Sequence, residues 1–163
     1  MKVILKHYLY PNLLGKLNLG QFWVNVVVVA EAFKGMKNII IQNNIPVNTI
    51  VNNWPDALRV IVYNILINAY KSTEKGVISI SIVKKASNYT IKIKDNGVGM
   101  NASMLRYLIT GKSKDEVENF AKYKKGNGVG YQIIRNIVKL MKAKLEIESR
   151  ENVGTTVSLL FIN

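Results

Sequence analysis

The chain contains no cysteine, which removes any disulfide framework and any zinc or iron site built on thiolates. Long apolar runs are missing as well. The longest, around Val26 to Ala30, is broken by Asn25 and Glu31, far short of the roughly 20 residues that a helix needs to cross a bilayer, so no span through a membrane is expected. Proline is scarce, with three among 163 residues, and 48% of the chain is hydrophobic. That balance suits one folded unit with a single core rather than an extended or disordered segment. Met1 to Tyr10 interrupts its apolar residues with Lys6 and His7, unlike a secretory signal. A cytoplasmic location is the expectation.

Acidic residues are also few, 10 against 23 basic ones, for a net charge of +13. Such an excess suits phosphate-bearing partners, but its distribution argues otherwise. Nineteen of the basic residues are Lys, abundant together with Asn and Ile, a trio whose codons are rich in A and T. The lysines are scattered, as at Lys92 and Lys94 on one strand and Lys139 and Lys142 on one helix. No single stripe with interleaved aromatics emerges, so a nucleic-acid partner is not expected.

Residues 1–20 are broken by Pro11, Gly15 and Gly20 and read as an adapter or linker remnant ahead of a domain over 21–163. Phe22 to Lys34 fits a strand, or a short strand followed by a helix, and Asn38 to Gln42 a strand ending at Asn43, Asn44 and Pro46. Pro55, followed by Asp56, opens a helix to about Thr73. Leu58, Ile61, Val62, Ile65, Leu66 and Ala69 form its core arc, opposite Asp56, Arg59, Tyr63 and Tyr70. Ile78, Ile80 and Ile82 alternate with Ser79 and Ser81, and Tyr89, Ile91 and Ile93 with Thr90, Lys92 and Lys94: two strands joined by a hairpin at Lys85 to Asn88. Gly111 to Lys125 lacks a hydrophobic period and reads as a long mobile loop of the functional kind. Ile133, Ile134, Ile137, Val138 and Met141 mark a last helix, before strands at Leu145 to Ser149 and Thr155 to Phe161. The sum is an α/β chain, a two-layer α/β sandwich with a mostly antiparallel sheet.

Four constellations carry chemistry. If the alternation of Tyr89, Ile91 and Ile93 continues one step, Asp95 points inward. A carboxylate there needs donors, from protein amides or from a ligand's amino group; capping of the following turn by its own backbone is the alternative. That turn, Asn96-Gly97-Val98-Gly99, permits close approach to its backbone. On the Pro55 helix, Asn64, Asn68 and Lys71 share a stripe beside Ile61, Val60 and Ile67. Half-enclosed amides need partners: neighbouring loops, or a hard cation such as Mg²⁺ with phosphate on the lysine. Gly126-Asn127-Gly128-Val129-Gly130 precedes a helix N-terminus, a phosphate cradle in principle. It is neither a Walker loop nor a dinucleotide fingerprint. Gly154-Thr155-Thr156 opens the last strand.

In this order the four resemble the ATP-binding domain of sensor histidine kinases, in the superfamily that includes gyrase, Hsp90 and MutL ATPases. Asn64 to Lys71 resembles the N box, Asp95 to Met100 the first glycine box, Gly126 to Gly130 the second, and Gly154 to Thr156 the last glycine motif. The resemblance runs from about Phe22 to the C-terminus. It implies a Bergerat-type fold, a mixed sheet with helices on one face. ATP and Mg²⁺ would be the cofactors, with the nucleotide between the N-box helix and a lid.

By that resemblance Asp95 accepts from the adenine amino group, near Gly97, Gly99 and Thr155. Asn64 and Asn68 hold Mg²⁺ and triphosphate with help from Asn127, and Lys71 meets phosphate oxygens. Gly126, Gly128 and Gly130 receive phosphates, and Gly111 to Lys125 is the lid, from which Lys124 or Lys125 reaches the γ-phosphate. Hydrolysing relatives carry a glutamate base where this chain has Asn64, and an amide takes no proton at neutral pH. The implied reaction is therefore transfer of the γ-phosphoryl group to a histidine, with Asn64 and Lys71 in catalytic roles and a response regulator receiving the group next. The acceptor would lie on a separate dimerisation domain of the full-length protein, because the one histidine, His7, precedes Tyr8 rather than an acidic residue. No clear match exists for the phenylalanine expected before the lid, where Leu105, Tyr107 and Leu108 stand, and Tyr131 replaces the usual leucine. The alternatives are an anti-sigma-factor-type serine kinase and a non-enzymatic ATP-gated interaction module.

Overall fold

A computed structural model describes residues 15–23, 37–110 and 129–162 of the protein. Through these run β1 (Gly15–Asn18), β2 (Asn38–Asn43), β3 (Ile50–Asn53), α1 (Pro55–Ser72), β4 (Lys75–Lys85), β5 (Asn88–Asp95), α2 (Ala102–Thr110), α3 (Val129–Leu140), β6 (Lys144–Arg150) and β7 (Gly154–Phe161). A further helical turn covers residues 19–23. No described helix is long and apolar enough to cross a membrane.

The main sheet has the order β2-β4-β5-β7-β6, and β1 pairs with β3 in a separate two-stranded sheet. Only β2 and β4 run parallel within the larger sheet; its other pairs are antiparallel. On β5, Tyr89, Ile91, Ile93 and Asp95 are buried while Asn88, Lys92 and Lys94 are exposed, the period-2 pattern of a strand with one wet face. Val157, Leu159 and Phe161 of β7 and Ile147 of β6 extend that apolar face. The α1 helix packs against β5 and α3, while α2 and α3 pack against β6. The expected two-layer α/β architecture is what the chain forms.

The start of α1 follows from Pro55, whose missing N–H costs nothing at a first helical position, and from Asp56 at the positive end of the helix. Its core arc is buried as expected, Leu58, Ile61 and Val62 completely. Its end is secured from far away in sequence. The Lys37 ammonium, at the entry to β2, donates to the carbonyls of Tyr70 at 3.2 Å, Lys71 at 3.4 Å and Thr73 at 3.0 Å, and pairs with Glu74 at 3.1 Å. It also lies 5.1 Å from the Tyr70 ring centre, so that Tyr70, expected to face water, is half-buried.

Several features differ from expectation. Residues 15–18, assigned to the adapter, form β1 on β3, and Leu19 is fully buried. The α2 helix was not foreseen: Asn101 caps it, its Oδ1 accepting from the Met104 amide at 2.9 Å, and Leu108 anchors it in the core. Part of the Phe22 to Lys34 segment and all of the Gly111 to Lys125 loop lie outside the described residues. So do Lys124, Lys125, Gly126, Asn127 and Gly128.

Candidate functional site

Asp95 ends β5 with its side chain inward, 5% exposed, as the alternation required. Its neighbours are set by the sheet: Ile78 is its cross-strand partner on β4 and Thr155 on β7, and directly opposed residues share a face. Two backbone amides reach the carboxylate, from Gly97 at 2.9 Å and Thr155 at 3.3 Å, and both end on Oδ1. Asp95 therefore does cap its own turn. Yet burial outweighs these two bonds and holds the carboxyl above its ordinary pKa of 3.8. An under-satisfied buried acid is an acceptor for one more donor.

The first glycine turn is pinned rather than open. A side chain at Gly97 would run into the Ser72 carbonyl at the end of α1. Gly99 has φ +64°, left-handed backbone suited to glycine, and lies against the Arg150 carbonyl. The close approaches at these two positions are thus made by the protein itself.

Asn64 and Asn68 are half-buried on α1, one turn apart, whereas Lys71 is exposed beyond them. The Asn64 amide nitrogen donates to the Val60 carbonyl at 2.7 Å, which directs Oδ1 away from the helix backbone. A carbon added at Gly130 would lie 3.3 Å from that oxygen and 3.9 Å from Asn68 Nδ2. The α3 N-terminus and the two amides are thereby brought together. Asn68 Nδ2 is buried without a hydrogen-bond partner among the described residues, and such donors are rare without a ligand or water to meet them.

Tyr131, next to Gly130, stands over the same region. Burial, then the negative Asp95 carboxylate, push its hydroxyl up to about 12, while the nearby Asn68 side chain pulls the other way. The amide contact lacks true hydrogen-bond geometry, since Nδ2 stays unpartnered. Tyr131 was noted in the sequence only as a departure, yet its hydroxyl lies within electrostatic reach of Asp95 and beside Asn68.

A fourth group was not foreseen. Ser149 on β6 is the cross-strand partner of Thr155, so Asp95, Thr155 and Ser149 form one row. Ser149 Oγ accepts from the Met100 amide at 2.9 Å, donates to the Gly154 carbonyl at 3.1 Å, and lies 2.9 Å from Thr155 Oγ1. The signal was the turn at 151–153, whose register opposes residues 149 and 155.

These groups are neighbours: Gly130 at the start of α3 abuts Asn64 and Asn68 on α1, and Tyr131 beside it feels both Asn68 and the buried Asp95 at the sheet end. No cluster of three or more His, Cys, Asp or Glu suited to a metal occurs among the described residues. A cation here would need amide and ligand oxygens, and the Asn64 and Asn68 side chains are of that type.

Residues 54–162 match the family described as histidine kinase-, DNA gyrase B-, and HSP90-like ATPase. The chain is 32% identical over 109 residues to sensor histidine kinase YvrG of Bacillus subtilis, covering 63% of this chain and 18% of that protein. It is 30% identical over 145 residues to sporulation kinase C of the same organism, covering 87% and 32%. The chain thus spans a third or less of these relatives' length. Among solved structures, the nucleotide-free catalytic domain of histidine kinase ThkA superposes with a TM-score of 0.71 at 18% identity, over 91% of this chain and 95% of that one. Full-length ShkA with AMPPNP gives 0.74 at 17% identity, over 91% and 30%; both likenesses speak for the fold. The chain belongs to the histidine kinase-, DNA gyrase B- and HSP90-like ATPase family, as an ATP-binding catalytic domain of the sensor histidine kinase kind.

Proposed function

We propose that the domain binds ATP with Mg²⁺ and donates the γ-phosphoryl group to a histidine on the dimerisation domain of its full-length protein, from which a response regulator is then charged. The observation that supports this reading is Asp95, buried with two backbone donors on one oxygen, with the unpartnered Asn68 amide nearby across Tyr131. Asp95 would take the adenine amino group, beside Gly97, Gly99 and Thr155. Asn64 and Asn68 would hold Mg²⁺ and phosphate oxygens, joined by Asn127, while Lys71 supplies positive charge from the end of α1. Bound Mg²⁺ supplies charge neutralisation for the transferring group. The orphaned Asn68 amide and the hard-oxygen character of the two asparagines fit such a group.

Asn64 favours transfer over hydrolysis, because its amide takes no proton from water at neutral pH. Gly126, Gly128 and Gly130, at and before the start of α3, would receive phosphates, and residues 111–125 would close over them with Lys124 or Lys125. Residues 1–20 would join the domain, 21–163, to its preceding part, their last few anchored through β1. The setting would be the cytoplasm, away from nucleic acid.

Mixing the chain with a phosphoacceptor hairpin of a sensor kinase and ATP labelled at the γ-phosphate tests this. Acid-labile, base-stable label on the hairpin histidine is expected. Label on serine, or ATP binding without transfer to a cognate hairpin, contradicts it.

A further inference from the structure

Ser149 lies outside every motif of the chain, yet its hydroxyl meets three polar groups in the row that begins at Asp95. Asp95, Thr155 and Ser149 are consecutive cross-strand partners on β5, β7 and β6, so their side chains stand side by side on the helix-covered face. A serine hydroxyl has one hydrogen to give and two lone pairs to receive with. The Met100 amide can only donate, and takes one lone pair at 2.9 Å; the Gly154 carbonyl can only accept, and takes the hydrogen at 3.1 Å. What remains for Thr155 Oγ1, 2.9 Å away, is the second lone pair. With both of those bonds made, Thr155 is left to donate to Ser149, its hydrogen turned away from Asp95.

We infer that Ser149 is a positioning residue that fixes the hydrogen-bond polarity of Thr155, and so restricts the site to 6-aminopurine nucleotides over 6-oxopurine ones. Held in this way, Thr155 Oγ1 shows only lone pairs to a ligand, beside a carboxylate that also only accepts. Two neighbouring acceptors match the two hydrogens of an exocyclic amino group, directly or through a water. A 6-oxopurine offers Asp95 its N1–H but sets a carbonyl oxygen against Thr155, acceptor against acceptor. Were the Thr155 hydroxyl free to turn, it would donate to that carbonyl and the penalty would vanish. Burial sharpens the choice, because unmatched polar groups in a dry site cost more than exposed ones. Thr155 is 8% exposed and Asp95 5%.

This inference builds on the nucleotide-binding reading, and calorimetric titration with ATP and with ITP in Mg²⁺ separates the two. The unaltered chain is expected to prefer ATP. Ser149→Ala should cut the ATP-over-ITP ratio about tenfold, the worth of one net hydrogen bond in this setting, mainly by improving ITP. Ser149→Thr, which keeps the hydroxyl, should restore the ratio. A purely structural role, through the tie to Met100, would weaken both nucleotides equally and leave the ratio fixed, overturning the inference. So would a Ser149→Ala chain that behaves like the original, or an original chain that binds both nucleotides alike. Failure of the unaltered chain to bind either would overturn the nucleotide reading itself, and this inference with it.

Discussion

A carbon added to Gly130 would sit 3.3 Å from Asn64 Oδ1, so the start of α3 approaches α1 at a distance that only a bare backbone allows comfortably. Asn64 cannot yield freely, since its nitrogen is bonded to the Val60 carbonyl at 2.7 Å. Gly130→Ala improves helix propensity by up to ~1 kcal/mol, which offsets the crowding. The melting temperature should stay constant or rise, while affinity for Mg-ATP falls about tenfold as the amide is displaced. Parallel thermal melts and titrations check this; a loss of stability with unchanged affinity would assign Gly130 to packing alone.

The raised pKa of Asp95 makes a prediction about stability against pH. The native state holds the proton more tightly than the unfolded chain, because burial opposes charge. Native protein therefore binds more protons once pH exceeds the ordinary value of 3.8, and stability falls as pH climbs from there through the raised native value. Asp95→Asn keeps an oxygen for the Gly97 and Thr155 amides and removes the charge. Denaturant melts from pH 3 to 7 should show the variant losing less stability over this window than the original chain.

Lys37 ties the entry of β2 to the end of α1 through three carbonyls, at the negative end of the helix where a cation is favourable. Its side chain is only 18% exposed, although Glu74 opposite is 80% exposed, so the carbonyls rather than the ion pair carry the effect. Lys37→Met should cost about 1–2 kcal/mol, and Glu74→Gln much less. Equal losses in the two variants would shift the weight to the ion pair.

Asn68 provides a separate check on the phosphate end. Replacing its orphaned amide donor with a carboxylate, Asn68→Asp, sets like charge against the phosphates. Affinity for Mg-ATP should drop at least tenfold while adenosine binding changes by less than about twofold. Equal losses for both ligands would argue against a role at the phosphates.

Elements with a strong local period were legible in the sequence. The α1 core arc and the β4–β5 alternation follow from side-chain spacing, and the inward phase of Asp95 follows from the strand. The four-residue strands β1 and β3 were not, because Ile50–Asn53 ends in two asparagines and has too few residues to establish an alternation. The α2 helix lay in a stretch where Leu105, Tyr107 and Leu108 were weighed against a missing phenylalanine, and its Asn101 cap went unread. Contacts made across the fold were beyond local reading altogether. The parallel pairing of β2 with β4, the Lys37 cap some 34 residues away from its partners, and the Ser149–Thr155 pair depend on strand partners that composition does not specify. The glycines of the first turn were recognised as sites of close approach, but not that α1 and the 150–154 turn make it.

The central claim is that Asp95 reads the amino group of adenine, and calorimetry of Asp95→Asn against ATP tests it most directly. The Gly97 and Thr155 amides hold the variant's side-chain oxygen where Oδ1 now sits, which turns its NH₂ toward the purine, donor against donor. The variant should fold, with circular dichroism and melting close to the original, and lose ATP affinity by about tenfold to a hundredfold. A folded Asp95→Asn chain with undiminished affinity for ATP would contradict the account.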